Sequence, residues 1–443
     1  MTLPINRRRF LEGSAATAAA TLGGGAAAIW APAVHAQALA LKPEKGAKLR
    51  VLRWSRFVQG DIDAYMANVK KFTEKTGVEV RVDNESWEDV RPKAAVAANT
   101  GAGPDIVLST NDDANLYPEK LLDMTDVAEY LGRKYGGWYP AVHQYLKPDG
   151  KRWLGLGLGA SGSLLVYRES HVKAAGFDAF PKDTAGFLAL HKALKEKGTP
   201  GGYALGNATG DSLWTNWLMW SHGAQLVDKN NKVIIDSPET LKALEYAKEL
   251  YATFVPGTLS WLDPNNNKAF LDGQVSCTNN AISIYYTAKN SQDAKVKELA
   301  SDINHAAFPI GPIGVPTESH LFFNQMVFKY TKYPQAAKEF LRFMMEEEQF
   351  DPWLTASNGY VAHPLAAYEK SAIWTSDPKN TAYRDCVKNM RPAGYAGRLG
   401  YASAGAGADF IIPNMVAEAA SGSKSPKEAA ERAQKRAERY YKV

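Results

Sequence analysis

Residues 49–109 limit the fold more than any other part of the chain. Residues 49–54 read as a strand, and Asp61 caps a helix in which Ile62, Tyr65, Met66, Val69 and Phe72 recur at three- and four-residue spacing before Gly77 closes it. Val78, Val80 and Val82 alternate with polar residues as a second strand. A second helix covers 87–98, and 104–109 read as a third strand after Gly101, Ala102 and Gly103. Strand, helix, strand, helix, strand demands a parallel sheet with crossover helices. Ligands on such sheets bind in the crevice beyond the carboxyl ends of the strands, which directs attention to residues 54–57, Arg56 among them, and to 109–112.

At 443 residues the chain exceeds one ordinary core, so two lobes are expected. The second organising stretch is 151–167, where Gly157, Gly159 and Gly162 satisfy the dinucleotide pattern G-x-G-x-x-G. That pattern works only when a helix leaves the glycines, and here they are followed by Ser163, Leu164, Leu165, Val166 and Tyr167, a short apolar run of strand length. The stretch is therefore read as the first crossing between lobes, with Gly159 and Gly162 loosening a hinge. Beyond it, helices are predicted at 184–197 and from Ser237 with Pro238 at the first helical position. Residues 211–220 suit either a core helix or a cleft lining, because Trp214, Trp217 and Leu218 share one helical face. A short strand is expected at 274–278, and the apolar run 320–329 would return the chain to the first lobe. A helix follows at 334–347, and Ser425, Pro426 and Glu428 form a capping box for the last one.

The N-terminus carries Arg7, Arg8, Arg9, Phe10 and Leu11, then an Ala/Gly-rich run over 15–30, then Val34, His35 and Ala36. That order predicts a twin-arginine signal peptide over 1–36 and an exported, periplasmic mature protein. Its removal lowers the net charge from +5 to +3, through the loss of three arginines and Glu12. A surplus of that size, spread along the chain, argues against a nucleic-acid partner. Cys277 and Cys386 are the only cysteines, and the sequence leaves open whether they pair or remain two buried thiols. Metal spacings, the H-E-x-x-H helix, the G-x-S-x-G elbow and the Walker A loop are all absent from the sequence. No enzyme, cofactor or metal is therefore expected. What the chain does supply is 11 tryptophans, 21 tyrosines and 16 phenylalanines, whose rings stack on the apolar faces of sugars.

Six short pieces in order carry a resemblance: residues 72–80, 103–107, 163–167, 269–273, 336–341 and 419–422. With them the chain resembles the periplasmic solute-binding proteins of carbohydrate ABC transporters, the family 1 group that includes maltose-binding protein. The resemblance implies an α/β, two-lobed periplasmic-binding-protein fold of type II, each lobe a β-sheet flanked by helices, joined by a multi-segment hinge. It places one lobe at 39–158 and 325–380 and the other at 159–324 and 381–443. It also implies a monomer that binds a small-molecule carbohydrate in the cleft and is recognised, when closed, by the permease subunits of the transporter. Carried position by position, the ligand contacts fall on Trp54, Ser55, Phe57, Ser109, Asn111, Asp112, Ser161, Asp211, Asn280, Ser283, Ser319, His320, Asp409 and Phe410. Ser109 and Ser283 stand where relatives often place an aromatic, so stacking is expected from Trp54, Trp214 or Trp261. A maltodextrin is not supported; a monosaccharide, a small oligosaccharide, a polyol or a glycerol-phosphate-like ligand all fit. The competing reading is an exported carbohydrate-active enzyme or a cofactor-bearing oxidoreductase folded before export.

Overall fold

The computed structural model describes residues 39–55 and 57–442; the predicted export signal and Arg56 lie outside the described residues. The first strand, β1 (Lys48–Trp54), leads into the helix Gln59–Thr76, which ends on Gly77 in the left-handed region. β2 (Glu79–Glu85), the helix Trp87–Thr100 and β3 (Ile106–Thr110) complete the unit. β1 pairs in parallel with both β2 and β3, the arrangement the alternating pattern requires.

The chain then forms β4 (Leu156–Ser161) and, after Gly162 and Ser163, β5 (Leu164–Arg168). β6 (Cys277–Asn280) and β7 (Ile303–Ala306) flank β5, both antiparallel to it. β8 (Leu321–Val327) lies between β3 and β4, antiparallel to each. The result is a five-stranded sheet in the order β2-β1-β3-β8-β4 and a three-stranded sheet in the order β6-β5-β7. Sheet pairing thus passes from the first sheet to the second at Gly162 and Ser163, and returns ahead of Leu321. A third segment touches the same place, because Ala160 and Ala362 exchange backbone hydrogen bonds of 3.0 and 2.7 Å.

The protein has two hydrophobic cores, and the first runs on to the second sheet through Leu164, Val166 and Ile303. Val51, Phe72, Leu108, Phe322 and Phe340 belong to the first. Leu165, Phe187, Trp217, Leu244 and Val416 belong to the second, which the helices Pro238–Tyr251, Ile411–Ser421 and Pro426–Ala437 cover. The capping signals read from the sequence are present: the Ser237 hydroxyl accepts from the Thr240 N–H, and Ser425 and Glu428 cap each other. Cys277 and Cys386 are both buried free thiols. The hydroxyl of Tyr203 lies 3.1 Å from the Cys277 sulfur, and burial pushes that thiol up to about 12.

The glycines of the crossing sit where other chain segments leave no room for a side chain. At Gly159, with φ of 140°, a β-carbon would sit 2.0 Å from the Ala362 carbonyl oxygen. At Gly162 it would sit 2.6 Å from the Cys386 sulfur and 2.6 Å from the Tyr383 ring. Other chain segments press against both positions, and the φ of Gly159 favours glycine in its own right. Gly162→Val is accordingly expected to destabilise the fold by about 1–3 kcal/mol through overpacking. A urea midpoint equal to that of the parent protein would refute this.

Candidate functional site

A polar cavity lies beyond the carboxyl ends of β1, β2 and β4, against the turn at Gly210 and Asp211, the helix that starts at Asp263 and the residues that follow β6. From the first sheet's side it is lined by Phe57, Trp87, Ser161 and Tyr360. Phe57 lies parallel to Tyr360 at 6.2 Å, and Ser161 hydrogen-bonds the Tyr360 hydroxyl. Trp87 stands at the start of the helix that follows β2, and stacks on Trp54 at 5.1 Å. Trp54 is itself stacked on Phe323 at 4.8 Å and is 1% exposed, so it stands behind Trp87, which is buried but lines the cavity.

The opposite wall is built from Asp211, Asp263, Asn267, Asn280 and Ser283. Asp263, the first residue of the helix Asp263–Leu271, accepts the backbone N–H groups of Thr209, Gly210 and Asp211 at 3.0, 2.8 and 2.8 Å. Three such bonds fix the turn that presents Asp211. Asn280 ends β6 and accepts from the Ser283 hydroxyl at 2.9 Å, while Asn267 donates to the same hydroxyl at 2.9 Å. The side chains of Asn280 and Asn267 also bond each other. The amides and hydroxyl are held in one orientation, as a site that reads hydroxyl groups requires.

The cavity electrostatics follow from burial. Burial raises Asp211 well above the usual carboxylate range, the neighbouring charge of Asp263 adds to the rise, and a hydrogen bond from Asn266 opposes it. Burial also lifts Asp263 to about 6, against the pull of its backbone N–H donors. Among the described residues, no three His, Cys, Asp or Glu side chains gather as a metal set.

His320 and Ser319 sit at the return crossing and act on the frame. His320 Nδ1 accepts the Ser163 N–H at 3.0 Å, so the ring proton lies on Nε2 and is donated to Glu318 at 3.0 Å. One imidazole thus ties the outgoing crossing to the returning one. Ser319 accepts from the Asn216 side chain at 3.3 Å.

Asn111, Asp112 and Phe410 come together at a second cavity on the far side of the 209–213 turn. Asp112 accepts from the Ser403 hydroxyl at 2.5 Å. Burial raises the Asp112 carboxyl to about 7, with the Ser403 bond opposing and the Asp113 charge assisting.

The remaining expected contacts lie elsewhere. Ser55 donates its N–H to the Glu85 carbonyl, and the Ser109 hydroxyl donates to Asp113 at 2.6 Å. Trp214 is 1% exposed in the second core, and its indole N–H goes to the Ala204 carbonyl at 2.8 Å, so it offers no face to the cavity. Trp261 packs over Gly202. Asp409 pairs with Arg436 at 2.9 Å on the surface. The rings that line this cavity are those of Phe57, Trp87 and Tyr360, and those of Trp54, Trp214 and Trp261 do not line it. Trp87 was within reach of the strand-end rule, since it stands two residues past β2. Asp263 and Tyr360 carried no comparable sequence signal.

A family model for bacterial extracellular solute-binding proteins matches residues 67–382. The chain is 24% identical over 330 residues to a protein of Escherichia coli named as an ABC transporter periplasmic-binding protein, YcjN, covering 71% of this chain and 72% of that one. Two solved structures share the fold. The maltose-bound MalE3 protein of T. maritima superposes with a TM-score of 0.76 at 18% identity, over 89% of this chain and 99% of its own. An ABC transporter solute-binding protein of Agrobacterium radiobacter in complex with ribitol gives 0.75 at 17% identity, over 90% of this chain and 100% of its own.

Proposed function

Since the chain belongs to the bacterial extracellular solute-binding family, we propose that it captures a carbohydrate or polyol between its two lobes and delivers it to the permease of an ABC transporter. One observation carries the choice of ligand: the polar cavity sets the rings of Phe57, Trp87 and Tyr360 against the fixed polar groups of Asp211, Asn280, Ser283 and Ser161. Rings of that kind stack on the apolar face of a sugar, and the amides, hydroxyls and carboxylates take its hydroxyl groups. The likeness to a maltose complex and to a ribitol complex supports the same class.

No bond is made or broken in this reading. The ligand shifts an equilibrium between open and closed lobes, because the full set of contacts exists only when both walls reach it. The expected lobe limits at 158/159 and 324/325 each fall inside a strand of the first sheet, so we place the changeovers at the 162–163 turn and just before Leu321. The order of charge, apolar run and cleavage pattern over 1–36 supports twin-arginine export to the periplasm, where the protein would act as a monomer. An exported enzyme is disfavoured, since the matching family and both structural neighbours are binding proteins.

Calorimetry and thermal shift against a panel of sugars, polyols and sugar phosphates test the reading. A neutral sugar or polyol is expected to raise the melting temperature in proportion to the logarithm of its concentration over its Kd. A flat response across the panel would reject the substrate class, and turnover of a panel member during titration would favour the enzyme.

A further inference from the structure

The second cavity differs in chemistry from the first. Its polar end holds Asn111, Asp112 and Ser212, and its wall is made by Leu213, Leu226, Phe410 and Ile412 together with alanines of the 404–408 stretch. Gly210 and Asp211 face the polar cavity, whereas Thr209, Ser212 and Leu213 of the same short turn face this one. The two spaces are therefore neighbours across a single turn of chain.

Backbone geometry marks the same place independently. Among the described residues, four that are not glycine have positive φ, and three of these are asparagines, the type that tolerates it best. The fourth is Phe410, at 48°, and Asn111, at 46°, is one of the three; both line the second cavity. A bulky aromatic held in that region is strained, and such strain concentrates where a ligand is gripped. The ring of Phe410 is also steadied by the Arg91 guanidinium at 5.9 Å, whose charge Asp113 balances at 3.0 Å.

We propose that the second cavity is an arm of the binding cleft that takes an apolar or aromatic substituent carried by the hydroxylated ligand, so that the preferred ligand is a glycoside with an alkyl or aryl aglycone. This rests on the sugar or polyol reading of the polar cavity. The hydroxylated ring would lie against Phe57, Trp87 and Asp211, and the aglycone would pass the 209–213 turn to lie between Leu213 and Phe410. The Ser403–Asp112 bond closes the polar end of the arm, leaving its apolar wall to the substituent.

The test is calorimetry with matched methyl and 4-nitrophenyl glycosides of several monosaccharides. At least one 4-nitrophenyl member is expected to bind about tenfold more tightly than its methyl partner, the effect of covering an aromatic ring with apolar wall. Ala408→Phe, at a half-buried position on the wall, should fill the arm and abolish that ratio. Leu213→Gln should reduce the ratio without filling the space. Equal affinity within every pair, or a ratio that survives both substitutions, overturns the arm but leaves the polar cavity intact. Absence of binding by every glycoside of both kinds overturns the sugar reading itself and the arm with it.

Discussion

Asp61→Ala is expected to lower the unfolding free energy by about 3–5 kcal/mol, the range found when one partner of a buried ion pair is removed. Asp61 and Arg53 meet at 2.5 Å with their side chains 0% and 1% exposed. The carboxylate also accepts the indole N–H of Trp54 at 3.1 Å and of Trp353 at 2.9 Å. The Arg53 guanidinium lies over the rings of Trp54 and Tyr65, 4.3 Å from each centroid. Removing the carboxylate would leave a buried cation with aromatic faces alone and two indole donors without an acceptor. Trp54 backs Trp87, so the loss should propagate to the polar cavity as weaker ligand binding. Urea denaturation reads the first effect and calorimetry the second. The double substitution Arg53→Met with Asp61→Leu should recover most of the stability, because the penalty comes from the orphaned charge more than from the lost attraction. A single-mutant loss below about 1 kcal/mol would show that water reaches Arg53.

This pair shows how far sequence reasoning reaches in the chain. The parallel unit of β1, β2 and β3 was legible because its periods are local: Ile62, Tyr65, Val69 and Phe72 can share a face only on a helix, and Val78, Val80 and Val82 only on a strand. The caps at Ser237 and Ser425 were legible for the same reason, each lying within four residues of its partner. The placement of Trp214 was not. Its spacing with Trp217 fixes a helical face but not what that face meets, and tertiary packing turned it toward Tyr203 and Phe254.

The walls of the cavity raise the same difficulty at longer range. Tyr360 reaches Ser161 from 199 positions away along the sequence, and Asp263 captures three backbone N–H groups more than fifty residues upstream. No period or spacing encodes such meetings. The glycines at 159 and 162 are ambiguous in sequence for a related reason. A glycine can answer a need for backbone freedom or a need for room, and only Ala362, Tyr383 and Cys386, all distant in sequence, identify the second need.

Asp211→Asn is expected to stabilise the unliganded protein above neutral pH and to weaken ligand binding by roughly ten- to a hundredfold. Burial raises the folded-state pKa of Asp211, with Asp263 adding to it. The folded protein then holds a proton that the unfolded chain, titrating near pH 4, has released. That contribution is fully present below about pH 4 and is lost as pH rises through the folded pKa. Asp263, lifted to about 6, and Asp112, lifted to about 7, act in the same direction. The parent protein should therefore lose stability steadily from about pH 4 to beyond pH 7, and the asparagine variant should show a shallower decline. Ligand reverses the balance, since a hydroxyl donor favours the ionised carboxylate, whose hydrogen bonds are worth about 1.5–3 kcal/mol. Asparagine keeps one acceptor and loses the charge, so affinity falls while the empty cavity gains stability, the usual opposition between a poised site and a stable one. Melting temperatures at pH 5 and 8 with and without ligand separate the two effects. Identical pH profiles for variant and parent would refute the raised carboxyl, and an unchanged Kd would remove Asp211 from the binding site.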